Sequence, residues 1–344
     1  MALDACTTLE NDLAALQVAE GLAQLVRHAV PSARDIAFTG LSRSAGGLSR
    51  ENWSLDASWS DAYGSHTHRL MLMRDASGTL LKTDRRREFD VLKALEGSAV
   101  AAPAVFWMDP DGHFLGAPSL VMERVAGICD YMVLNCARPL EERLELARAF
   151  LHLLVNIQAT DWHGRGLGPS LGVPDRSPAQ IALDQWEAEY RRVQLEPHPE
   201  LDYVLVWMRR TAPQPAAVVL VHGDFKPGNA LIEGTRITAK LDWETAHLGD
   251  PLEDLGWITN PVRRREHQIP GHWERAQIIE AYTGLTGRAV NEADLTWWNV
   301  FSCWKLAVIQ LTAVNEFVSG RYNRVFQTPS WLFRPMLRMM ERAA

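Results

Sequence analysis

Three oxygen-bearing side chains near residue 230 have the types and the spacing that phosphoryl-transfer chemistry requires. Asp224 and Asn229 lie on one short stretch, residues 222–229, which reads HGDFKPGN, and Asp242 follows at the end of the next hydrophobic run. Asp224 is predicted to be a catalytic base, because a carboxylate beside a substrate hydroxyl group can orient it and accept its proton. Asn229 and Asp242 are predicted to bind Mg²⁺, which prefers oxygen ligands and completes its shell with phosphates and water.

The strands around this stretch are expected to bring the three side chains together. Residues 218–221 form a continuous apolar run that is typical of a buried strand, so Asp224 falls on the loop after it. Residues 231–241 read as two short strands around a glycine-containing hairpin turn. Antiparallel pairing in this hairpin would return Asp242 to the side of Asn229.

The rest of the chain divides into a strand-rich first third and a helical remainder. After an amphipathic helix that ends near Val30, the strand candidates are residues 52–59, 69–74, 104–107 and 119–123, with one helix at 88–95. From about Val125 the helix candidates are residues 140–162, 181–193, 201–210, 274–282, 294–315 and 332–342. The sequence therefore predicts an α+β fold with two lobes: an N-terminal lobe, residues 1–124, around an antiparallel sheet, and a larger, mainly α-helical C-terminal lobe, residues 125–344.

Composition excludes several classes of protein. The chain has 344 residues, a length that usually forms two domains or lobes. Its net charge is −7, so nucleic acid and anionic membranes are not predicted partners. Its four cysteines are scattered without a CxxC pair, which argues against a zinc site or a disulfide framework. We find no apolar run long enough to cross a bilayer and no signal-peptide pattern, and we expect a cytoplasmic protein. Each of the short arginine runs, residues 85–87 and 263–265, is interpreted as a solvated face.

The stretch at 222–229 resembles the catalytic loop of the aminoglycoside phosphotransferase family, whose form is HGDxxPxN. Residues 241–244, LDWE, resemble the second metal motif of that family, and the interval from Asn229 to Asp242 resembles the one in protein kinases. Gly223 replaces the arginine of the HRD motif, which points away from protein kinases. The resemblance implies a bilobal protein-kinase-like fold, and it implies that Lys226 offsets charge on the transferring phosphoryl group.

The resemblance also implies a nucleotide site in the N-terminal lobe. Residues 46–52, GGLSREN, resemble the phosphate-covering loop, where small residues let backbone N–H groups approach phosphate oxygens. Glu88 matches the carboxylate that pairs with a basic residue on the third strand, where this chain has Arg74 in place of lysine. The predicted cofactor-binding residues are Gly46, Gly47, Ser49, Arg74, Glu88, Glu123 and Val125, the last two in the hinge that would hold adenine.

The resemblance assigns supporting roles to two further residues of the C-terminal lobe. Asp254 follows a helix start at Asp250-Pro251, and its carboxylate is expected to brace the catalytic loop from behind. His222 is expected to be structural, hydrogen-bonded near the metal-binding aspartate.

The leading interpretation is a kinase that uses ATP and Mg²⁺ to phosphorylate a small molecule bearing a hydroxyl group. A nucleotide-binding regulator without turnover is the alternative that Arg74 keeps open. A metal-dependent phosphohydrolase that uses His222 and Asp224 as ligands is a third interpretation.

The acceptor is left open among aminoglycosides, choline-like alcohols, amino alcohols, sugars and hydroxy acids. The acidic candidates for a polycationic acceptor are Glu187, Glu189, Glu196 and Asp202. Arginines interleave with them at 191–192, and residues 261–270 are basic instead. The oligomeric state is likewise not predicted.

Overall fold

The structure is a computed structural model that describes residues 2–44, 50–75, 84–215, 217–321 and 327–343, with side chains described from residue 13. Contacts divide the chain into two compact units. The first holds Met1–Glu96 with Pro103–Val125, and the second holds Gly97–Ala102 with Ala126–Ala344. The division into lobes at 1–124 and 125–344 stays a prediction.

The first unit is an antiparallel sheet with two helices. Its elements are α1 (Ala2–Ala29), β1 (Arg34–Arg43), β2 (Arg50–Asp61), β3 (Gly64–Asp75), α2 (Arg85–Leu95), β4 (Val105–Asp109) and β5 (Ser119–Glu123). Within the described residues the sheet has five strands in the order β1-β2-β3-β5-β4. The alternation in β2 buries Trp53, Leu55 and Ala57 in the hydrophobic core that also holds Leu22 and Val26 of α1, which explains why the period-two pattern predicted this strand. Strand β1 was not predicted.

The second unit is mainly helical. In chain order its helices and strands are α3 (Leu140–Gln158), α4 (Leu167–Leu171), α5 (Pro178–Val193), α6 (Pro199–Thr211), β6 (Val219–Val221), β7 (Ala230–Glu233), β8 (Arg236–Lys240), β9 (His247–Gly249), α7 (Leu252–Thr259), α8 (Arg264–His267), α9 (Arg275–Thr286), α10 (Glu292–Val318) and α11 (Ser330–Ala343). Single 3₁₀ turns cover Val133–Asn135, Pro227–Asn229, Trp243–Thr245 and Pro261–Arg263. The predicted α+β class, a sheet followed by a helical region, is confirmed.

Helix α10 is the centre of the second unit. It is buried along most of its length and packs against α5, α6, α7 and α11. Trp297, Trp298 and Trp304 are fully buried in this core and contribute to its packing. None of the helices in the described ranges combines the length and the apolar character that crossing a bilayer requires.

Candidate active site

The loop at 222–229 lies between β6 and the β7–β8 hairpin. Ala230 of β7 pairs with Lys240 of β8, and the Leu241 N–H donates to the Asn229 carbonyl oxygen at 2.8 Å. This register ends β8 beside the end of the loop, as the hairpin argument predicted. Asp242 then adopts a left-handed conformation with φ of 67°, which turns the chain away from the hairpin.

One amide group joins the three predicted site residues. The Nδ2 atom of Asn229 lies 2.9 Å from Oδ2 of Asp224 and 3.4 Å from Oδ2 of Asp242. The same atom also donates to the backbone carbonyl oxygen of Asp224 at 3.2 Å. These bonds commit the nitrogen of the Asn229 amide group, and the carboxylate groups of Asp224 and Asp242 converge on it.

Asp224 is held ionised by its neighbours. Burial favours the neutral carboxyl group, but the charge and the hydrogen bond of Lys226 outweigh it and hold the pKa of Asp224 well below its usual range. Lys240 and Arg263 lower this pKa further. Burial opposes the charge of Lys226 as well, yet the Asp224 carboxylate raises the pKa of Lys226 above its ordinary value. Both groups are therefore charged at neutral pH.

The ring of His222 is committed to the backbone on both sides. Its Nδ1 atom accepts the Asp224 N–H at 3.2 Å, so Nε2 carries the proton and donates to the Leu241 carbonyl oxygen at 3.0 Å. Burial holds the pKa of His222 well below its usual value, which keeps the ring neutral. The expectation that His222 is structural is confirmed, and neither ring nitrogen is available to a metal. No group of three His, Cys, Asp or Glu side chains that could bind a metal occurs in the described ranges.

Asp254 braces the loop as expected. Its two carboxylate oxygens accept the N–H groups of His222 at 2.7 Å and Gly223 at 3.0 Å. Asp254 is almost fully buried in α7, and burial raises its pKa to about 6, helped by the negative charge of Glu253. These two bonds fix the backbone that leads into Asp224.

Two buried lysines that the sequence did not indicate hold the same loop. Lys305 of α10 donates to the Gly223 carbonyl oxygen at 2.7 Å, and Lys240 of β8 donates to the Asn229 carbonyl oxygen at 3.0 Å. Lys240 is fully buried, and burial lowers its pKa to about 7. In the sequence each lysine is only a charged residue among apolar neighbours, and this pattern does not indicate which carbonyl group the lysine contacts.

In the first unit the expected pair between Arg74 and Glu88 is replaced by three other pairs. Arg74 donates to Glu51 through Nη2 at 2.6 Å and Nε at 3.0 Å. Buried Glu88 accepts from Arg85 and, at 3.4 Å, from Arg50. The reason is register: Glu51 of β2 lies directly opposite Arg74 of β3, and facing side chains on paired strands are nearest neighbours.

The other predicted nucleotide-binding residues are placed as follows. Glu123 ends β5 with an exposed side chain, and half-buried Val125 follows it. Gly46, Gly47 and Ser49 lie outside the described residues. The cofactor-binding roles of all these residues stay predictions.

The interpretation of both arginine runs as solvated faces is wrong for one residue in each run. Arg85 is only 3% exposed because its guanidinium group forms ion pairs with Asp75 and Glu88. Arg263 is only 9% exposed because it stacks over the indole ring of Trp257, with 4.1 Å between the guanidinium carbon and the ring centre. Local charge patterns cannot reveal such tertiary partners.

Comparison with known proteins identifies related sequences. Residues 46–288 match the model of a family described as the phosphotransferase enzyme family. A 192-residue segment, 55% of this chain and 18% of the relative, is 29% identical to mouse acyl-CoA dehydrogenase family member 10. A 270-residue segment, 73% of this chain and 34% of the relative, is 26% identical to rat acyl-CoA dehydrogenase family member 11. The chain thus spans about a third or less of the length of these curated relatives.

Several solved structures named as phosphotransferases share the fold. A protein of Ralstonia eutropha provisionally named an aminoglycoside phosphotransferase superposes with a TM-score of 0.72 at 21% identity, over 94% of this chain and 96% of the other. A thermostable mutant of aminoglycoside phosphotransferase APH(4)-Ia, solved with AMP-PNP and hygromycin B, gives 0.58 at 15% identity over 94% and 98%. Macrolide 2′-phosphotransferase MphH of Brachybacterium faecium gives 0.53 at 20% over 87% and 92%. The predicted protein-kinase-like fold is confirmed.

Proposed function

The chain belongs to the phosphotransferase enzyme family, and we propose that it is an ATP-dependent kinase that phosphorylates a hydroxyl group of a small molecule. The observation that carries this proposal is the meeting of Asp224, Asn229 and Asp242 at the Asn229 amide group, with distances of 2.9 and 3.4 Å to the two carboxylates. Phosphoryl transfer needs little covalent chemistry from the protein. Its main requirements are a group that positions the acceptor hydroxyl and a set of ligands that bind a cation.

Asp224 is proposed to orient the acceptor hydroxyl group and to receive its proton. Asp224 accepts that proton as the acceptor oxygen bonds to the γ-phosphorus and ADP departs. Its depressed pKa makes it a weak base, which suits a loose transition state in which the proton leaves late. Lys226, ion-paired with Asp224, would offset negative charge on the transferring group.

Asn229 and Asp242 are proposed to hold Mg²⁺. The donor chemistry fits, because an amide oxygen and a carboxylate are hard oxygen ligands and the Asn229 nitrogen is already used by Asp224 and Asp242. The chemistry that Mg²⁺ supplies when bound is neutralisation of charge on the phosphate oxygens.

Use of a nucleotide is supported by the neighbours solved with AMP-PNP and with GDP; ATP is proposed here, and GTP is the alternative donor. The residues proposed to contact the nucleotide are Gly46, Gly47, Ser49, Arg74, Glu88, Glu123 and Val125. Since Glu51 holds Arg74 and the guanidinium groups of Arg50 and Arg85 adjoin Glu88, nucleotide binding would compete with or extend these ion pairs.

The test is ADP release from Mg²⁺-ATP over a panel of hydroxyl-bearing metabolites, with ATP affinity measured separately. Asp224→Asn is expected to lower kcat by about 100-fold or more while the affinity for ATP changes by less than about threefold. Asp175→Asn is the control, because Asp175 is an exposed residue. Undiminished turnover in Asp224→Asn would reject the assignment. If the wild-type protein binds ATP but releases no ADP with any acceptor of the panel, a nucleotide-binding regulator without turnover would be favoured.

A further inference from the structure

Three of the four acidic candidates for a polycationic acceptor, all except Glu196, are paired with arginines. Glu187 pairs with Arg209 at 2.7 Å, and Glu189 pairs with Arg192 at 2.7 Å. Asp202 pairs with Arg191 at 2.8 Å, and Arg191 also reaches Glu187 at 3.4 Å. These carboxylates on α5 and α6 are therefore largely neutralised, and they do not form a binding site for cations.

The environment of Asp224 is basic instead. Lys226, Lys240 and Arg263 all lie near enough to lower the pKa of Asp224. Of these, Lys226 forms an ion pair with Asp224, and buried Lys240 donates to the Asn229 carbonyl oxygen. Arg263 is the one among the three that belongs to another part of the fold, the turn between α7 and α8.

Arg263 has binding capacity that its partners do not use. Its Nη2 atom donates to Glu266 at 2.7 Å, and its guanidinium plane lies against Trp257. Its Nε atom is buried and has no hydrogen-bond partner in the described part of the chain. A buried N–H without an acceptor is costly, and a guanidinium group fixed by stacking presents its remaining donors in a defined direction.

His267 offers a second buried polar atom in the same region. It is 6% exposed, lies four residues after Arg263, and its Nε2 atom has no partner among the described residues. Burial, the positive charge of Arg263 and that of Lys240 lower the pKa of His267 well below its usual value, while Asp224 opposes them. Contacts place this pair of residues near the loop of Asp224: Arg263 and Lys305 both lie over the ring of Trp257, 4.1 and 5.5 Å from its centre. Lys305 Nζ in turn lies 2.7 Å from the Gly223 carbonyl oxygen, next to Asp224.

We propose that the acceptor carries an oxyanion, a carboxylate or a phosphate group, which binds Arg263 and His267 and so directs its hydroxyl group to Asp224. This inference rests on the proposed function and adds the charge of the acceptor to it. An oxyanion would supply the acceptor that Arg263 Nε lacks, and a neutral imidazole can donate a hydrogen bond to the same group. Glu266 remains paired with Nη2, so the oxyanion uses the donors that Glu266 leaves.

The test compares four three-carbon probes that differ in one group: glycerol, serinol, glycerate and glycerol 3-phosphate. Binding is measured by titration calorimetry on the full chain with the nucleotide site saturated by Mg²⁺-AMP-PNP, so that phosphate groups cannot bind there. Glycerate or glycerol 3-phosphate is expected to bind at least about tenfold more tightly than glycerol and serinol. The tighter of the two anions identifies a carboxylate or a phosphate site.

Three variants test the assignment to Arg263. Arg263→Gln is expected to remove the preference for anions, and Arg263→Lys, which keeps the charge but not the planar fork, is expected to retain part of it. Arg265→Gln is the matched control, since Arg265 is an exposed arginine of the same run. Thermal unfolding is recorded for each, and if Arg263→Gln fails to fold, Arg263→Lys carries the comparison.

Three results would overturn the inference. They are equal binding of all four probes, tighter binding of serinol than of the anions, and an anion preference of wild-type strength in both Arg263→Lys and Arg263→Gln. The failure of the proposed function gives a different result, because Asp224→Asn would then release ADP as fast as the wild-type protein. A cationic or neutral acceptor whose turnover is lost in Asp224→Asn would reject the anion site and leave the kinase assignment intact.

Discussion

The Nζ atom of Lys305 lies 2.7 Å from the carbonyl oxygen of Gly223, the group that immediately precedes Asp224 in the chain. On the other side of the same residue, the Gly223 N–H donates to Asp254 at 3.0 Å. A cation of α10 and a carboxylate of α7 thus hold both backbone polar groups of Gly223. The orientation of Asp224 is therefore set by the packing of two helices behind the loop.

Lys305→Met is expected to lower kcat by about tenfold, with the KM for ATP changed by less than about twofold. The variant leaves the Gly223 carbonyl group buried without its donor, so the backbone before Asp224 gains freedom while the residues proposed to contact the nucleotide are unchanged. Lys305→Arg should recover part of the activity because it keeps the positive charge and the donors. Steady-state ADP release and thermal unfolding check this positioning role.

Lys93→Met serves as the surface control for Lys305, because Lys93 is exposed and pairs with Glu96 at 2.8 Å, away from Gly223 in the chain. An equal loss of kcat in both lysine variants, or a wild-type kcat in Lys305→Met, would contradict the role given to Lys305.

Gly223→Ala is expected to destabilise the fold and to lower kcat. Both losses should exceed those caused by the left-handed backbone conformation alone. Gly223 has φ of 81°, and a Cβ atom there would lie 2.7 Å from the Thr245 carbonyl oxygen. Left-handed backbone costs an alanine about 1 kcal/mol, and the clash adds to it. Chemical unfolding and ADP release measure the two effects.

Gly234→Ala is the matched control for Gly223→Ala. Gly234 lies in the β7–β8 turn with φ of 60°, and nothing lies within 4 Å of a Cβ atom built there. The control therefore reports the conformational cost without the clash. If both variants lose the same free energy of unfolding and the same activity, the close approach of Gly223 to Thr245 is not required.

The geometry of the loop at 222–229 could be predicted because it depends on nearby residues. Asp224 and Asn229 stand on one loop, and antiparallel pairing in a hairpin leaves few positions for Asp242. The partner of Glu88 could not be predicted in this way, since Arg50, Arg74 and Arg85 are all plausible by spacing. The β2–β3 register decides the matter by facing Arg74 with Glu51.

The residues that sequence reasoning missed act over long intervals. Lys305 reaches a carbonyl group 82 residues earlier in the chain. Its contact is set by how α10 packs, and a single charge within an apolar helix carries no sign of its partner. Arg263 was interpreted from the charge of its neighbours, whereas its burial depends on the face of Trp257.

Asn229→Ala is expected to raise the Mg²⁺ concentration for half-maximal activity by about tenfold or more. The variant removes the proposed ligand oxygen and also the N–H group that lies between Asp224 and Asp242, so two carboxylates are left to repel each other. Asn156→Ala is the control, because Asn156 donates only to the Ala99 carbonyl oxygen at 3.3 Å in the described structure. An unchanged Mg²⁺ requirement in Asn229→Ala would show that Asn229 is not a ligand of Mg²⁺.

Asp254→Asn is expected to change the pH dependence of stability. Burial and Glu253 raise the pKa of Asp254 from an ordinary value of 3.8 to about 6, so between these values the folded protein binds more protons than the unfolded chain. The stability that this group contributes is fully present below pH 3.8 and is lost as the pH rises through about 6. Relative to Asp254→Asn, the wild-type protein should therefore lose about 3 kcal/mol of unfolding free energy across this window.

Urea unfolding of the wild-type protein and Asp254→Asn at intervals from pH 4 to pH 8 measures this difference. Asp250, whose pKa burial also raises to about 6, is present in both proteins and cancels when the two curves are subtracted. The difference should fall up to about pH 6 and then stay level, because Asp254 is ionised in both states above that pH. A difference that is constant from pH 4 to pH 8, or that grows as the pH rises, would show that Asp254 does not titrate as a buried carboxylate behind the loop at 222–229.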